Sequence, residues 1–384
     1  MLRLPFLHSF LMPKKVLVLF GTRPEVIKLA PVVRALRRHR DEFITRVVSS
    51  GQHREMVQQA LDAFALKPDV TLDAMASAKS LGRLTARLFD DLDQLFEVEK
   101  PDWVLVQGDT TSAMVAAVCA YYRRIKVGHV EAGLRTYNRW SPFPEEVNRT
   151  FIGHVSDLHF APTKKSADNL RRAGVPEKSI HVTGNTVVDA LLWVSEGLRD
   201  IMPPGLPENL SNFIQGKRLV LVTSHRRESF GEGLENICRA LLGTVDRYPD
   251  AVVVYPVHLN PNVREPVHRL LGGHPRIKLL EPVGYLPLVW LMQRSYCIFT
   301  DSGGIQEEAP SLGKPVLIMR DTTERPEVVE AGCARLVGAD TGQILSGARD
   351  LFENHEIYSA MASVKNPFGD GRAAERIADI LLTS

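Results

Sequence analysis

The sequence predicts an α/β protein with two domains, each built on a doubly wound parallel sheet. Short, fully apolar runs alternate with stretches that carry apolar residues at helical spacing, a rhythm typical of parallel sheets covered by helices. The alternation occurs twice, in residues 16–161 and again in residues 219–319. With 384 residues, the chain is also long enough for two separate cores.

The first series begins with an apolar strand at residues 16–20, followed by a helical pattern at residues 26–38. Its other strands are predicted at residues 45–48, 103–106, 126–130 and 158–161. The second series has predicted strands at residues 219–222, 252–255, 277–280, 296–299 and 316–319. We expect two facing Rossmann-like domains with an active-site cleft between their carboxyl edges, where open α/β folds bind ligands.

The predicted N-terminal domain spans residues 14–183 and the C-terminal domain residues 184–371. A proline-rich surface connection follows the boundary at residues 201–207. The apolar part of residues 1–13 is short and no small-residue cleavage site follows it, so a signal peptide is not expected. We expect these residues to be a disordered leader or the result of an upstream start.

The composition argues against several classes of partner. A formal net charge of +2 with mixed signs gives no basic surface for nucleic acid or for anionic lipid. No apolar run reaches the roughly 18 to 20 residues needed to cross a membrane. The four cysteines are far apart and form no CxxC pair: Cys119, Cys238, Cys297 and Cys333. We therefore expect neither a zinc site nor a disulfide framework, and a reducing cytoplasm.

The turn after the first strand, residues 21–28 (GTRPEVIK), lacks the glycine pattern of a dinucleotide site. The chain contains neither GxGxxG nor GxxxxGK[ST], so bound NAD and ATP hydrolysis through a P-loop are not expected. Arg23 and Lys28 at the helix start would instead be able to meet a diphosphate. Taken singly, each cation is better explained as a surface charge.

A glycine turn in the second half has the features of a nucleotide site. Residues 300–308 (TDSGGIQEE) follow a strand and open a helix, so that backbone N–H groups would face a diphosphate. Glu307 or Glu308 would then lie near the ribose hydroxyls. A simple tight turn explains the glycines alone. Arg320 and Arg325 favour the nucleotide site, because they follow the next strand at the same edge of the sheet.

Further polar residues fall at strand ends, where chemistry in such folds is expected. Asp109 follows the strand at residues 103–106, and a helix N-cap explains it as well as a catalytic role does. Glu131 closes the strand at residues 126–130, and no capping role explains it. His225 follows the first strand of the second series and is accompanied by two arginines.

Residues 144–149 (PEEVNR) predict a helix start with proline in the first turn. Glu145 and Arg149 are four residues apart and therefore share one face of this helix. An ordinary helical ion pair is the alternative to a functional role for these two residues.

Taken together, these motifs resemble the signatures of the non-hydrolysing UDP-N-acetylglucosamine 2-epimerases of bacteria. They occur in order: FGTRPE (20–25), SGQHR (50–54), QGDT (107–110), HVEAGLRT (129–136), PEEVNR (144–149), HRRE (225–228) and DSGGIQEE (301–308). Several such motifs in order are far more specific than any one of them. The resemblance covers the chain from about residue 14 onwards and implies the GT-B architecture, with a C-terminal helix at residues 372–384 that packs back on the first domain.

The activity that the resemblance implies is an isomerisation. UDP-N-acetylglucosamine and UDP-N-acetylmannosamine are interconverted by loss of UDP and of the C2 proton to a 2-acetamidoglucal intermediate, followed by re-addition. The family uses no redox cofactor and no metal. The resemblance also implies a homodimer that serves the biosynthesis of cell-surface polysaccharides.

The catalytic residues that the resemblance implies are Asp109, Glu131, Glu145, Arg149 and His225. The three carboxylates act as acid and base near C2, and the histidine lies by the diphosphate. The implied nucleotide contacts come from both domains: Arg23, Lys28, Ser302, Gly303, Gly304, Glu308 and Arg325. Bacterial relatives are also activated by a second UDP-N-acetylglucosamine, bound partly through the positions of Gln52 and His53.

Two other classes of protein share parts of this pattern. A GT-B glycosyltransferase that uses a UDP-sugar donor would have the same fold and nucleotide site, but three carboxylates and Arg149 around one sugar argue against it. A non-catalytic sugar-nucleotide sensor would need the nucleotide site but would have no reason to keep the carboxylates.

Overall fold

The computed structural model describes residues 12–51, 54–74 and 80–384. Of the predicted leader, residues 1–11 lie outside the described residues, as do Gln52 and His53. The chain divides into two compact units. Unit 1 comprises Met1–Thr186 and Arg372–Ser384, and unit 2 comprises Val187–Gly371.

Unit 1 is built on a parallel sheet. Its strands within the described ranges are β1 (Lys14–Phe20), β2 (Phe43–Ser49), β3 (Val70–Thr71), β4 (Trp103–Gln107), β5 (Lys126–Val130), β6 (Leu158–Ala161) and β7 (Ile180–Val182). Their order is β3-β2-β1-β4-β5-β6-β7, so the chain winds outwards from β1 in both directions. The carboxyl ends of β1, β4 and β5 therefore lie side by side.

Helices cover both faces of this sheet. They are α1 (Arg23–Arg38), α2 (Arg54–Ala63), α3 (Leu81–Glu99), α4 (Thr111–Tyr122), α5 (Glu145–Val155) and α6 (Lys164–Arg172), with a 3₁₀ turn at Glu177–Ser179. Leu17 and Leu19 of β1 belong to the same core as Leu84 and Leu88 of α3, which recur once per helical turn. The inward-facing side chains of β1 and the apolar stripe of α3 therefore belong to one common core.

Unit 2 repeats the plan after α7 (Thr186–Gly197), which begins at the last residue of unit 1. Its strands are β8 (Arg218–Thr223), β9 (Ala251–Pro256), β10 (Ile277–Leu280), β11 (Cys297–Thr300), β12 (Val316–Ile318) and β13 (Ala334–Leu336). All pair in parallel, in the order β10-β9-β8-β11-β12-β13. The carboxyl ends of β8 and β11 are therefore neighbours.

The helices of unit 2 mostly alternate with its strands. They are α8 (Leu210–Ile214), α9 (Glu232–Arg247), α10 (Pro261–Leu271), α11 (Tyr285–Arg294), α12 (Gly303–Glu308), α13 (Pro326–Glu330), α14 (Thr341–Glu353) and α15 (His355–Ala362), with 3₁₀ turns at Arg227–Ser229 and Ala309–Leu312. The last helix, α16 (Ala373–Thr383), belongs to unit 1 and packs against α1. There, Lys14 Nζ donates to the carbonyl of Leu381 at 2.9 Å.

The predicted α/β class and its two parallel, Rossmann-like sheets are confirmed, and each predicted strand is present within one or two residues of its predicted bounds. Three strands are not predicted from the sequence, because they have only two or three residues each and are too short to show periodicity: β3, β7 and β13. All four cysteines are buried and unpaired. None of the described helices combines the length and hydropathy that crossing a lipid bilayer requires.

Candidate active site

Two carboxylates lie at the carboxyl edge of the unit 1 sheet, directly after the neighbouring strands β4 and β5. Asp109 does not cap the helix that follows it, so that alternative is wrong. Thr110 is the N-cap of α4, and its Oγ accepts the Ala113 N–H at 3.0 Å. The carboxylate of Asp109 is therefore left available for another role. Glu131, after β5, has a φ of 62°, in the left-handed region that residues other than glycine rarely adopt.

Arg149 of α5 joins these two residues. Its Nε donates to Asp109 Oδ2 at 2.8 Å, and its Nη1 donates to the backbone carbonyl of Glu131 at 2.8 Å. Its Nη2 lies 3.5 Å from Glu131 Oε1. The expected helical ion pair is not formed, since in the described part of the chain Arg149 contacts no oxygen of Glu145. We call Asp109, Glu131, Arg149 and Lys28 the carboxylate cluster.

Glu131 is held from a second side by Lys28 of α1. Lys28 Nζ forms a short ion pair with Glu131 Oε2, and Gln107 Nε2 donates to the same oxygen at 2.6 Å. The Glu131 side chain is only 4% exposed, so these contacts replace water around its charge. Lys28 was predicted to contact a diphosphate, and here the structure places it against a carboxylate. Gln107 is not predicted as a site residue from the sequence, although it ends β4, two residues before Asp109.

Glu145 and Glu146 begin α5 and have different surroundings. Among the described residues, no donor hydrogen-bonds to the buried Oε2 of Glu145. Glu146, in contrast, accepts from Arg135 Nε at 2.8 Å and from the backbone N–H of Thr136 at 3.0 Å. Burial raises the pKa of Glu146, but the Thr136 N–H and the Arg135 guanidinium outweigh burial and lower it. Glu146 therefore holds the loop that precedes α5. The sequence does not indicate this role, because the resemblance assigns a function only to the adjacent Glu145.

Glu25 ties the start of α1 to the start of α4. Its Oε2 accepts the N–H groups of Gly21 at 2.9 Å and Thr22 at 2.7 Å, and its Oε1 accepts Thr110 Oγ1 at 2.7 Å. Burial raises its pKa, although the hydrogen bonds from Thr110, Gly21 and Thr22 oppose this. Arg23, half-buried, is the first residue of α1. The helix start that carries it is thus anchored beside the turn that carries Asp109.

In unit 2, the nucleotide residues predicted from sequence gather around α12. Ser302 is its N-cap residue, followed by Gly303 and Gly304. A Cβ on Gly303 would lie 3.7 Å from the guanidinium carbon of Arg325, so the arginine lies beside this backbone. Arg325 Nε also donates to Glu307 Oε1 at 2.5 Å. A helix start and an arginine together provide donors suited to phosphate oxygens.

Glu308 ends α12 and is buried, with 5% of its surface exposed. Tyr285 donates its hydroxyl to Glu308 Oε1 at 2.8 Å, a partner that the sequence analysis missed because α11 precedes α12 by a whole strand. Arg320 is taken up by Glu228, to which its Nε donates at 2.5 Å. The sequence suggests a nucleotide contact for Arg320, but in the structure its guanidinium pairs with a carboxylate of the same unit.

His225 follows β8 and is held by Asp301, which follows β11. Asp301 Oδ2 accepts the backbone N–H of His225 at 2.7 Å, and Oδ1 lies 3.3 Å from His225 Nδ1. The ring of His258 stacks on that of His225, with centroids 5.7 Å apart. Asp301 belongs to the DSGGIQEE motif, but its place in the sequence does not indicate this contact.

Two parallel sheets with charged side chains grouped at the strand ends define a class, the α/β enzymes with two Rossmann-like units. The family model described as UDP-N-acetylglucosamine 2-epimerase matches residues 34–382. The chain belongs to the UDP-N-acetylglucosamine 2-epimerase family, which confirms the resemblance and the isomerase class over the glycosyltransferase alternative.

Relatives agree along almost the whole chain. The UDP-N-acetylglucosamine 2-epimerase of Yersinia pestis is 52% identical over 96% of this chain and 98% of its own length, and that of Escherichia coli K12 is 50% identical over the same shares. The solved 2-epimerase of Neisseria meningitidis bound to UDP-GlcNAc is 46% identical and has a TM-score of 0.85, covering 96% of this chain and 100% of its own. The Methanocaldococcus jannaschii enzyme in complex with UDP-GlcNAc and UDP is 34% identical, with a TM-score of 0.76 and coverage of 96% and 100%.

Proposed function

We propose that the protein interconverts UDP-N-acetylglucosamine and UDP-N-acetylmannosamine by eliminating UDP and adding it back. The observation that carries this proposal is the carboxylate cluster, in which Arg149 joins Asp109 to Glu131. The proton at C2 of an amino sugar is not acidic, so its removal must be assisted by departure of the diphosphate from C1. The UDP-GlcNAc bound to the Neisseria meningitidis relative supports this choice of substrate.

The proposed elimination needs no change in oxidation state. A carboxylate takes the C2 proton, the electrons of the C–H bond form the C1–C2 double bond, and the C1–O bond breaks with its electron pair leaving on UDP. The intermediates are 2-acetamidoglucal and UDP. Re-addition delivers a proton to the opposite face of C2 while the UDP oxygen bonds to C1 again. We therefore propose a reaction without redox cofactor or metal.

The residues of unit 1 act on the sugar in this proposal. Asp109, Glu131 and Glu145 are the acid and base groups, and Arg149 holds the first two in fixed positions. The buried Glu145 Oε2, without a hydrogen bond among the described residues, suits a group that exchanges a proton with a ligand. Arg23 and Lys28 supply positive charge at the start of α1.

The residues of unit 2 bind UDP in this proposal. His225 lies by the diphosphate, and Glu308, oriented by Tyr285, accepts hydrogen bonds from ribose hydroxyls. The phosphate contacts are assigned to Ser302, Gly303, Gly304 and Arg325.

Three further proposals concern the working state of the enzyme. We propose a homodimer, which light scattering would detect as twice the mass of one chain.

We propose a cytoplasmic enzyme, in line with four buried, unpaired cysteines. We also propose activation by a second UDP-N-acetylglucosamine through Gln52 and His53, which lie outside the described residues; a Gln52→Ala variant should then lose the steeper than hyperbolic dependence of rate on substrate.

Incubation in deuterated water tests the reaction. Because the C2 proton is lost to a side chain that exchanges with solvent, the UDP-N-acetylmannosamine formed should carry deuterium at C2, without added nicotinamide. The remaining UDP-N-acetylglucosamine should acquire deuterium as the reverse reaction proceeds. Proton NMR follows both pools, and small amounts of free UDP and 2-acetamidoglucal should accumulate.

An incubation without enzyme gives the background exchange. Substrate deuterated at C2 and turned over in ordinary water should conversely lose its label. A product that retains its original hydrogen in deuterated water, made by an enzyme that contains nicotinamide, would contradict the proposed elimination.

A further inference from the structure

Two neighbouring strands of unit 2 end in the same way. β8 ends at Thr223 and β11 at Thr300, which are partners in the parallel register, and their hydroxyls are 2.6 Å apart. The next residue after β11 is Asp301, whose backbone N–H donates to the Thr223 carbonyl at 3.1 Å. This bond holds the first residue after β11 beside the last residue of β8. The Asp301 side chain, fully buried, therefore meets the residues that follow β8.

One oxygen of Asp301 is saturated by that chain. Oδ2 accepts the Ser224 hydroxyl at 3.0 Å, the His225 N–H at 2.7 Å and the Arg226 N–H at 2.8 Å. These three donors come from consecutive residues and hold the carboxylate in place. The backbone at His225 is consequently held in one conformation.

The other oxygen of Asp301 faces the imidazole. Oδ1 lies 3.3 Å from His225 Nδ1, slightly beyond the usual N–H···O range of about 2.7–3.2 Å. Among the described residues, Oδ1 has no hydrogen bond, so a small rotation of the ring would complete this one without breaking another. The imidazole side chain itself is 39% exposed, so part of the ring is accessible to a ligand.

The groups that face His225 act on its charge in opposite directions. Burial lowers the pKa of His225, and the positive Arg226 and the neighbouring His258 lower it further. Asp301 is the one group among these that raises it. Without the carboxylate, a protonated imidazole at this position would have no compensating charge in the group that surrounds it.

We infer that Asp301 is a positioning residue for the reaction: it accepts the Nδ1–H of His225 and so lets the ring hold a second proton on Nε2, which faces the departing diphosphate. The inference rests on the proposed function, which assigns His225 to the diphosphate. A buried carboxylate on Nδ1 is the general means by which proteins select a histidine tautomer and stabilise its cation. The sequence conceals the pair, because 76 residues separate the two side chains.

The variant Asp301→Asn tests the inference with little change in shape. The amide oxygen still accepts the three donors of Oδ2, but the NH₂ group now faces Nδ1 and makes it an acceptor, so the hydrogen moves to Nε2. The neutral ring of this variant offers the diphosphate no positive charge, so we expect kcat to fall by about 10² to 10⁴, with a smaller change in KM. Nitrogen-15 NMR of the ring should show the change of tautomer, and a pH titration should show a lower His225 pKa.

Two further variants separate this inference from the proposed function. Ser224→Ala removes one donor to Asp301 Oδ2 but no charge. The His225 tautomer should therefore be unchanged, and kcat should stay within about threefold of the wild-type value. His225→Ala should be inactive, and Asp301→Asn should cost nothing more in that background. Full activity of His225→Ala would overturn the role of His225 in the proposed function, whatever Asp301 does.

The inference alone is overturned if His225→Ala is inactive while Asp301→Asn keeps the wild-type kcat and nitrogen-15 pattern. If Asp301→Asn fails to fold, the wild-type enzyme decides the matter. A neutral His225 with its hydrogen on Nδ1 supports the inference, and one with its hydrogen on Nε2 overturns it.

Discussion

Glu131 illustrates how much of the site depends on single residues. Its φ of 62° costs on the order of 1 kcal/mol for a residue other than glycine. The fold compensates, since Lys28, Gln107 and Arg149 all contact its carboxylate. A strained backbone with a fully engaged carboxylate is typical of a site in which position matters more than stability.

We expect Glu131→Gln to lower turnover by at least about a hundredfold without unfolding the protein. An amide keeps the shape of the side chain but cannot accept from Lys28 and Gln107 as a charged oxygen does. The measurement is kcat for formation of UDP-N-acetylmannosamine, with circular dichroism to verify the fold. The matched control is Glu42→Gln, an exposed carboxylate of the same unit, which should change neither. Turnover of Glu131→Gln near the wild-type value would remove Glu131 from the proposed catalytic set.

At the scale of whole elements, the unit 1 site depends on where helices begin. Glu25 joins the first turns of α1 and α4 through Gly21 and Thr110. Arg149 then joins α5 to the ends of β4 and β5. The site is therefore a set of helix starts and strand ends that hold one another in place through buried carboxylates.

Neighbouring strands β5 and β6 carry buried histidines beneath this edge. His129 and His159 are partners in the register, and the Nε2 of His129 donates to the Gly108 carbonyl at 2.7 Å, just before Asp109. Burial lowers the pKa of His129 to about 3, assisted by the positive Arg149, and lowers that of His159 to about 4. Both rings are therefore neutral in the folded protein near neutral pH.

These histidines should make unit 1 sensitive to mild acid. An unfolded histidine has a pKa of about 6.5, so below that pH the unfolded chain binds protons that the folded chain excludes. The contribution of both histidines is fully favourable above about pH 6.5. It is lost as the pH falls towards about 4 for His159 and about 3 for His129. Thermal unfolding followed between these values should show a steep loss of stability.

The His159→Gln variant should reduce this slope, because glutamine does not titrate. His154→Gln is the matched control, since His154 is exposed and should leave the slope unchanged. Equal slopes in His159→Gln and the wild type would show that His159 is not responsible.

At the scale of the whole molecule, the chain completes unit 1 with its last helix. Leu381 of α16 is fully buried, and Arg376 Nη1 donates to the Thr183 carbonyl at 2.9 Å. Residues half a chain length apart are therefore joined within unit 1, where α16 packs against α1.

Leu381→Ala should destabilise unit 1 by about 2–5 kcal/mol, the usual effect of removing a buried leucine side chain. Denaturant unfolding followed by fluorescence and circular dichroism measures this loss. Asp379→Ala, an exposed position on the same helix, should stay within about 0.5 kcal/mol of the wild type. An unaffected Leu381→Ala variant would mean that α16 contributes little to the stability of unit 1.

The sequence by itself determined the class of the fold and the positions that warrant attention. Apolar runs and helical spacing are local, so strands such as β1 and helices such as α1 can be found without knowing their partners. Residues that follow a strand, among them Asp109, Glu131 and His225, stand at the carboxyl edge by topology alone. The order of the motifs was sufficient for the family, which the relatives confirm.

Only the tertiary structure decided which of these residues hold one another. Arg149 hydrogen-bonds to Asp109, 40 residues away in the sequence, and not to the nearby Glu145. Lys28 pairs with Glu131, which is 103 residues away. Asp301 reached His225 only because β8 and β11 are neighbours in the sheet. Local patterns carry no information about such pairs, because strand order and long loop closures bring them together after the elements have formed.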